Sequence, residues 1–184
     1  MTPATTAAST ARRCPQPLIA AIRGAVCQRA GWAETARLVA DQLRASLPGP
    51  EILPPADRQG SPDGYVSHTL HTEPDGSFSI CALTWRPGQV TPIHDHVTWC
   101  VFGVLQGCEY EELFALAGDG ASVVPVGSNV NRAGEVSGFA PPGDIHRVRN
   151  DGDGVAISLH VYGADIGRLG TSVRRTYDLP VRAG

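Results

Sequence analysis

The sequence predicts a mostly β protein, a small barrel or jelly roll of short antiparallel strands preceded by N-terminal helices. Three observations carry that reading. Gly (21) and Pro (15) are frequent in a chain of 184 residues, a composition that suits short strands joined by tight turns. From Tyr65 onward, short apolar runs alternate with turn signals. Before Tyr65 the hydrophobic spacing is helical instead.

From Gln16 to Ser46, Leu18, Ile19 and Ile22 share one helical face, and Trp32, Ala36, Leu38, Val39 and Leu43 recur at helical spacing. Prolines 48, 50, 54 and 55 end the segment, because proline cannot continue a helix and restricts the residue before it. Strand patterns follow at Phe78 to Trp85, Thr98 to Leu105, Tyr110 to Leu116 and Val155 to Tyr162. Asp75-Gly76, Pro87-Gly88, Gly118 to Gly120, Pro142-Gly143 and Asp151 to Gly154 separate them. Closing such strands into a barrel removes exposed edges, and the helices are expected to act as its lid. The length suits one domain. Residues 1–15 are expected to be a disordered tail, and residues 16–184 a single domain whose helical segment covers about 16–47.

Composition excludes several classes. The formal net charge is −3 and no Lys/Arg run interrupts it, so no nucleic-acid partner is expected. No stretch has the length and apolarity of a membrane span, and Met1 to Arg13 lacks the apolar core of a secretory signal. Five cysteines (Cys14, Cys27, Cys81, Cys100, Cys108) are scattered and odd in number, unlike a secreted disulfide framework. A cytoplasmic protein is expected.

Chemistry concentrates in two segments, Gly88 to His96 and Pro141 to Asn150. In the first, His94 and His96 lie two apart. On a strand they share a face and Asp95 points the other way. The third histidine, His146, follows a Pro-Gly turn that can bring a second strand opposite the first. Three imidazoles on a rigid barrel leave adjacent coordination positions open, as a redox metal requires, although three histidines also suit zinc, copper or nickel. Ser158, His160 and Tyr162 alternate with Leu159 and Val161, so three polar groups share one strand face. If that face is the barrel interior, each group needs a hydrogen-bond partner.

The two histidine segments resemble the two signature motifs of the cupin superfamily. The first matches at Gly88, His94, His96 and Gly107, the second at Pro141, Gly143, His146 and Asn150. The leading glycine of the second is displaced to Gly134. Where the superfamily usually supplies a glutamate ligand, this chain has Cys100. That departure looks like cysteine dioxygenase and its bacterial relatives, such as 3-mercaptopropionate dioxygenase. Trp85, the Ile93 to His96 and Cys100 to Gly107 segments, and Ser158 to Gly163 carry the likeness, which runs from about Tyr65 to Gly163.

The resemblance implies iron(II) held by His94, His96 and His146, and a hydrogen-bonded Ser158–His160–Tyr162 relay beside it. It implies a small thiol and O2 as substrates, with both oxygen atoms ending on sulfur as a sulfinic acid. In the animal enzymes a thioether joins a cysteine and a tyrosine whose counterparts are Cys100 and Tyr162. Many bacterial relatives have glycine at that cysteine position. The family contacts the substrate carboxylate through arginine or glutamine at a position that aligns with Ser67. Serine lacks the bidentate fork of arginine, so a bulkier thiol such as ergothioneine is expected, with His68, His71, Arg86 or Arg168 reaching its far end. The alternative is cysteine or 3-mercaptopropionate itself. Two other classes share part of the pattern, a non-catalytic metal-binding cupin and a zinc or manganese isomerase or hydrolase. The latter would more naturally keep a carboxylate ligand.

Overall fold

A computed structural model describes residues 13–182. Two helices, α1 (Gln16–Val26) and α2 (Trp32–Ala45), precede ten strands. These are β1 (Val66–Thr72), β2 (Ser79–Trp85), β3 (His94–His96), β4 (Cys100–Gln106), β5 (Cys108–Leu116), β6 (Val123–Arg132), β7 (Val136–Phe139), β8 (His146–Arg149), β9 (Ala156–Tyr162) and β10 (Val173–Thr176). A short helix α3 (Ile166–Leu169) lies between the last two. The strands form two antiparallel sheets with orders β1-β2-β9-β4-β7 and β10-β3-β8-β5-β6. The mostly β fold with N-terminal helices is the predicted one. Of the expected tail, residues 1–12 lie outside the described residues, while Cys14 is buried in the helical core.

Alternation decides what each strand of the first sheet touches. Ile80, Ala82, Val101, Ile157, Leu159 and Val161 form one cluster with Leu18, Ile22, Val39 and Leu43 of the helices. Cys81, Leu83, Trp85, Cys100 and Tyr162 belong to a second cluster on the opposite face. The helices therefore cover the outside of this sheet rather than its mouth, which corrects the expectation of a lid. The physical reason is the apolar outer face of β2, β4 and β9, which needs a partner. Each aliphatic side chain it buries contributes about 1.5–3 kcal/mol.

Gly103 sets how closely α2 approaches. A Cβ built there would lie 2.5 Å from Leu47 Cδ1, just past the end of α2, and 3.4 Å from Leu43 Cδ2 on α2 itself, so the helical layer rests on bare backbone. Gly103→Leu is expected to push this layer outward and lower stability by about 1–3 kcal/mol. Urea unfolding followed by far-UV circular dichroism measures the change, and an unaltered midpoint would refute the close approach.

Candidate metal centre

His94 and His146 are direct cross-strand partners on β3 and β8, and His96 lies two residues along on the same face. This register brings all three imidazoles together, with ring centroids 4.6–4.9 Å apart. One nitrogen of each lies within 4.8 Å of the other two, and all three residues are buried. The other nitrogen of each ring is held. His94 Nδ1 donates to the Pro92 carbonyl at 2.9 Å, His96 Nδ1 to Asp144 at 3.1 Å and His146 Nδ1 to Glu111 at 2.7 Å. A donor Nδ1–H leaves Nε2 bare, so three lone pairs converge. Metal-binding histidines are oriented in this way. Burial and the neighbouring rings push the His94 imidazole down to about 3, which keeps it neutral and ready to ligate. The donor set therefore fits a divalent metal.

No carboxylate belongs to this cluster. Asp144 and Glu111 are occupied as hydrogen-bond acceptors, each held ionised by the histidine it accepts from. Asp144 also accepts from the His96 backbone N–H at 2.9 Å. Asp95 faces away, as alternation requires. It accepts from Arg175 at 2.6 Å and Tyr177 at 2.9 Å, fastening β10 to β3. Arg147, next to a histidine of the cluster, points outward to Glu112 at 2.7 Å.

Across a cavity of about 190 Å³ stands the inner face of the first sheet. Ser158 Oγ meets His160 Nε2 at 2.9 Å, and the Tyr162 hydroxyl meets His160 Nδ1 at 3.3 Å. The Trp85 indole donates to Ser158 at 3.4 Å. Cys100 is the register partner of Tyr162 on the adjacent strand, and its sulfur lies 3.8 Å from the same His160 Nδ1. Burial pushes the Cys100 thiol and the Tyr162 phenol well above their usual ranges and the His160 imidazole down to about 3. All three are neutral groups that exchange hydrogen bonds rather than charges.

Not every residue singled out from the sequence reaches this cavity. Ser67 lines it, together with Tyr65 and Phe102. His68, His71, Arg86 and Arg168 do not, contrary to expectation. His68 follows Ser67 on β1 and so turns to the opposite face, 3.4 Å from Thr84 Oγ1. His71 pairs with Glu73 at 2.9 Å. Arg86 donates to the Gln59 carbonyl at 3.1 Å, and Arg168 is exposed on α3. Three acidic residues of the site were missed, namely Glu109, Glu111 and Asp144. Glu109 and Glu111 alternate on β5, and two acids on the buried face of a strand are themselves a signal. Glu109 also lines the cavity, where burial pushes its carboxyl up to about 7.

The barrel and its histidine cluster define a cupin-type metal-binding protein. The model of the cysteine dioxygenase type I family matches residues 62–169, more than half of the chain, and the chain belongs to that family. Among solved structures it is similar to an oxalate oxidase in complex with glycolate, at 22% identity and a TM-score of 0.46, over 58% of this chain and 54% of that one. The chain thus spans about half the length of that protein. It is similar to the cupin domain of an XRE family transcriptional regulator from Enterobacter cloacae (17% identity, 53% and 94% coverage, TM-score 0.40). The Schizosaccharomyces pombe Cnp3 cupin domain matches at 16% identity, 58% and 72% coverage and a TM-score of 0.43.

His94→Ala, His96→Ala and His146→Ala are each expected to abolish stoichiometric metal binding while the barrel still folds. Glu111→Gln keeps the ligand but weakens its anchor, and metal affinity should fall about 10- to 100-fold. Metal content after dialysis against a graded chelator series checks both. Full occupancy in a histidine variant would remove that residue from the ligand set.

Proposed function

We propose that the protein is a non-haem iron(II) thiol dioxygenase, adding both atoms of O2 to the sulfur of a small organic thiol to give a sulfinic acid. The observation behind this reading is the all-imidazole cluster facing Cys100 and the Ser158–His160–Tyr162 chain across one cavity. His94, His96 and His146 would hold the iron. Bound there with neutral ligands only, iron(II) would keep its full charge, favouring a thiolate and supplying the redox chemistry for O2. The remaining contributions come from the chain itself. Phe102, Phe139 and Leu83 give the cavity apolar walls that limit water. The Tyr162 hydroxyl, fixed by His160, donates a hydrogen bond into the site without competing as an anionic ligand. Ser158 and Trp85 in turn hold His160 in place.

Ser67 at the position of the family's arginine or glutamine favours a thiol other than cysteine. Ergothioneine is one bulkier candidate, and cysteine or 3-mercaptopropionate is the alternative. The five cysteines are free thiols, and none of the described helices is long and apolar enough to cross a membrane. A non-catalytic metal-binding cupin would keep the histidines but has no use for the Cys100 and Tyr162 pairing.

The test is O2 uptake and sulfinate formation by iron-loaded protein with a panel of thiols. Tyr162→Phe should keep its iron yet lose at least about tenfold in kcat/KM, the scale of one charge-assisted hydrogen bond. Absence of thiol-dependent O2 consumption across the panel would rule out the dioxygenase.

A thioether between Cys100 and Tyr162 is part of this proposal, supported by their pairing in register and their common approach to His160 Nδ1. Forming the thioether removes one hydrogen from each side chain, and O2 takes up the two electrons. Peptide mapping after turnover should find the joined peptides lighter by two hydrogens, and Cys100→Ser should lack them. Unmodified Cys100 and Tyr162 peptides after many turnovers would end this assignment.

A further inference from the structure

Every acidic side chain at the site but one is matched to a donor. Asp144 serves His96, Glu111 serves His146, and Asp95 serves Arg175 and Tyr177. Glu109 is the exception. It is 1% exposed, it lines the cavity, and neither of its carboxyl oxygens has a hydrogen-bond partner among the described residues. The Ser158 hydroxyl and the Trp85 indole stand close enough to favour its ionised form, while burial and the neighbouring Glu111 oppose it. Both donors are engaged elsewhere, Trp85 with Ser158 and Ser158 with His160. A buried carboxyl with no partner costs stability, since it gives up water without regaining a hydrogen bond. Its donor is therefore to be sought in whatever fills the cavity.

The rest of the lining is one-sided in charge. The chain contains no lysine, so all 15 of its Lys and Arg residues are arginines, and none of those among the described residues lines the cavity. Arg174 and Arg175 line the adjoining outer groove. Both are drawn onto Asp95, at 3.4 and 2.6 Å. Ser67 leaves room beside this region without adding charge.

From the unpaired Glu109 and a cavity without a cationic side chain, we infer that the site selects thiols whose non-sulfur end is an ammonium or other N–H cation, and rejects small carboxylated thiols. The inference rests on the thiol dioxygenase reading and names its substrate class. An ammonium brought against Glu109 shifts the carboxyl to its ionised form and supplies the missing donors. The charge a metal would carry on the three histidines is matched by the substrate thiolate, so a carboxylate at the far end would face Glu109 as a like charge in a low-dielectric space. On this inference, Glu109 is a specificity-determining residue.

Three thiols with the same two-carbon linker and different far ends test it: cysteamine (cationic), 2-mercaptoethanol (neutral) and 3-mercaptopropionate (anionic). Binding is measured by calorimetry on zinc-loaded protein, which cannot turn over, and O2 uptake on iron-loaded protein. The expected order of affinity is cationic, then neutral, then anionic, with about tenfold or more between the two ends. Glu109→Gln should bring cysteamine and 2-mercaptoethanol together, mainly through Kd and KM rather than kcat. Glu109→Leu should do the same, and it should melt no lower than the wild type because it removes an unpaired buried carboxyl. Tightest binding of 3-mercaptopropionate would overturn the inference. So would a cysteamine advantage that survives both variants, since the amine would then be recognised elsewhere, for example by the metal. If the binding order holds but no thiol drives O2 uptake, the substrate class stands and the dioxygenase reading falls. O2 uptake with sulfinate formation in the reverse order has the opposite meaning.

Discussion

The structure depends on the helical layer over the outer face of the first sheet. Strand β9 carries Ile157, Leu159 and Val161 on one face and Ser158, His160 and Tyr162 on the other. In a bare barrel the apolar set would turn inward and the polar set would meet water. Packed against α1 and α2, the apolar set has its own core outside the barrel, and the polar face is free to line the interior. Gly103 permits this contact by letting α2 settle onto backbone. The polar interior of the barrel is thus made possible by hydrophobic burial on its far side.

A polar interior brings a second constraint, because each buried donor and acceptor needs a partner. The cluster meets it ring by ring. Each imidazole uses Nδ1 on an acceptor and leaves Nε2 free for a metal, so the same hydrogen bonds that offset desolvation also set the tautomer. Asp95 extends the arrangement outward. Its contacts with Arg175 and Tyr177 hold β10 beside β3, and the loop leading into β10 contributes Thr171 and Ser172 to the cavity wall. The position between the two histidines therefore closes the site, although it cannot face the metal.

Glu109 stands outside this pattern of satisfied groups. Proteins retain such costs where function requires them, since stability and site chemistry are selected together. Its neighbours divide by sheet. Glu111, on the same strand, has a histidine within reach because β5 pairs with β8. Glu109 lies one alternation away, and no arginine among the described residues lines the cavity there.

Much of this was legible in the linear sequence. The two helices and the strands β2, β4, β5 and β9 follow from hydrophobic period and turn residues, which are local properties. The pair His94 and His96 follows from strand alternation, and the outward direction of Asp95 and Arg147 from the same rule. What only the tertiary structure decided is which distant residues meet. The register of β3 against β8 brings His146 opposite His94, and pairing of β5 with β8 makes Glu111 its acceptor. Strand alternation puts His68 on the far side from Ser67, and sheet pairing leaves Arg86 and Arg168 outside the cavity. The helices cover a sheet face instead of the opening for the same reason. Periodicity reports which face of an element is apolar, whereas its partner is set by long-range packing that no local pattern encodes.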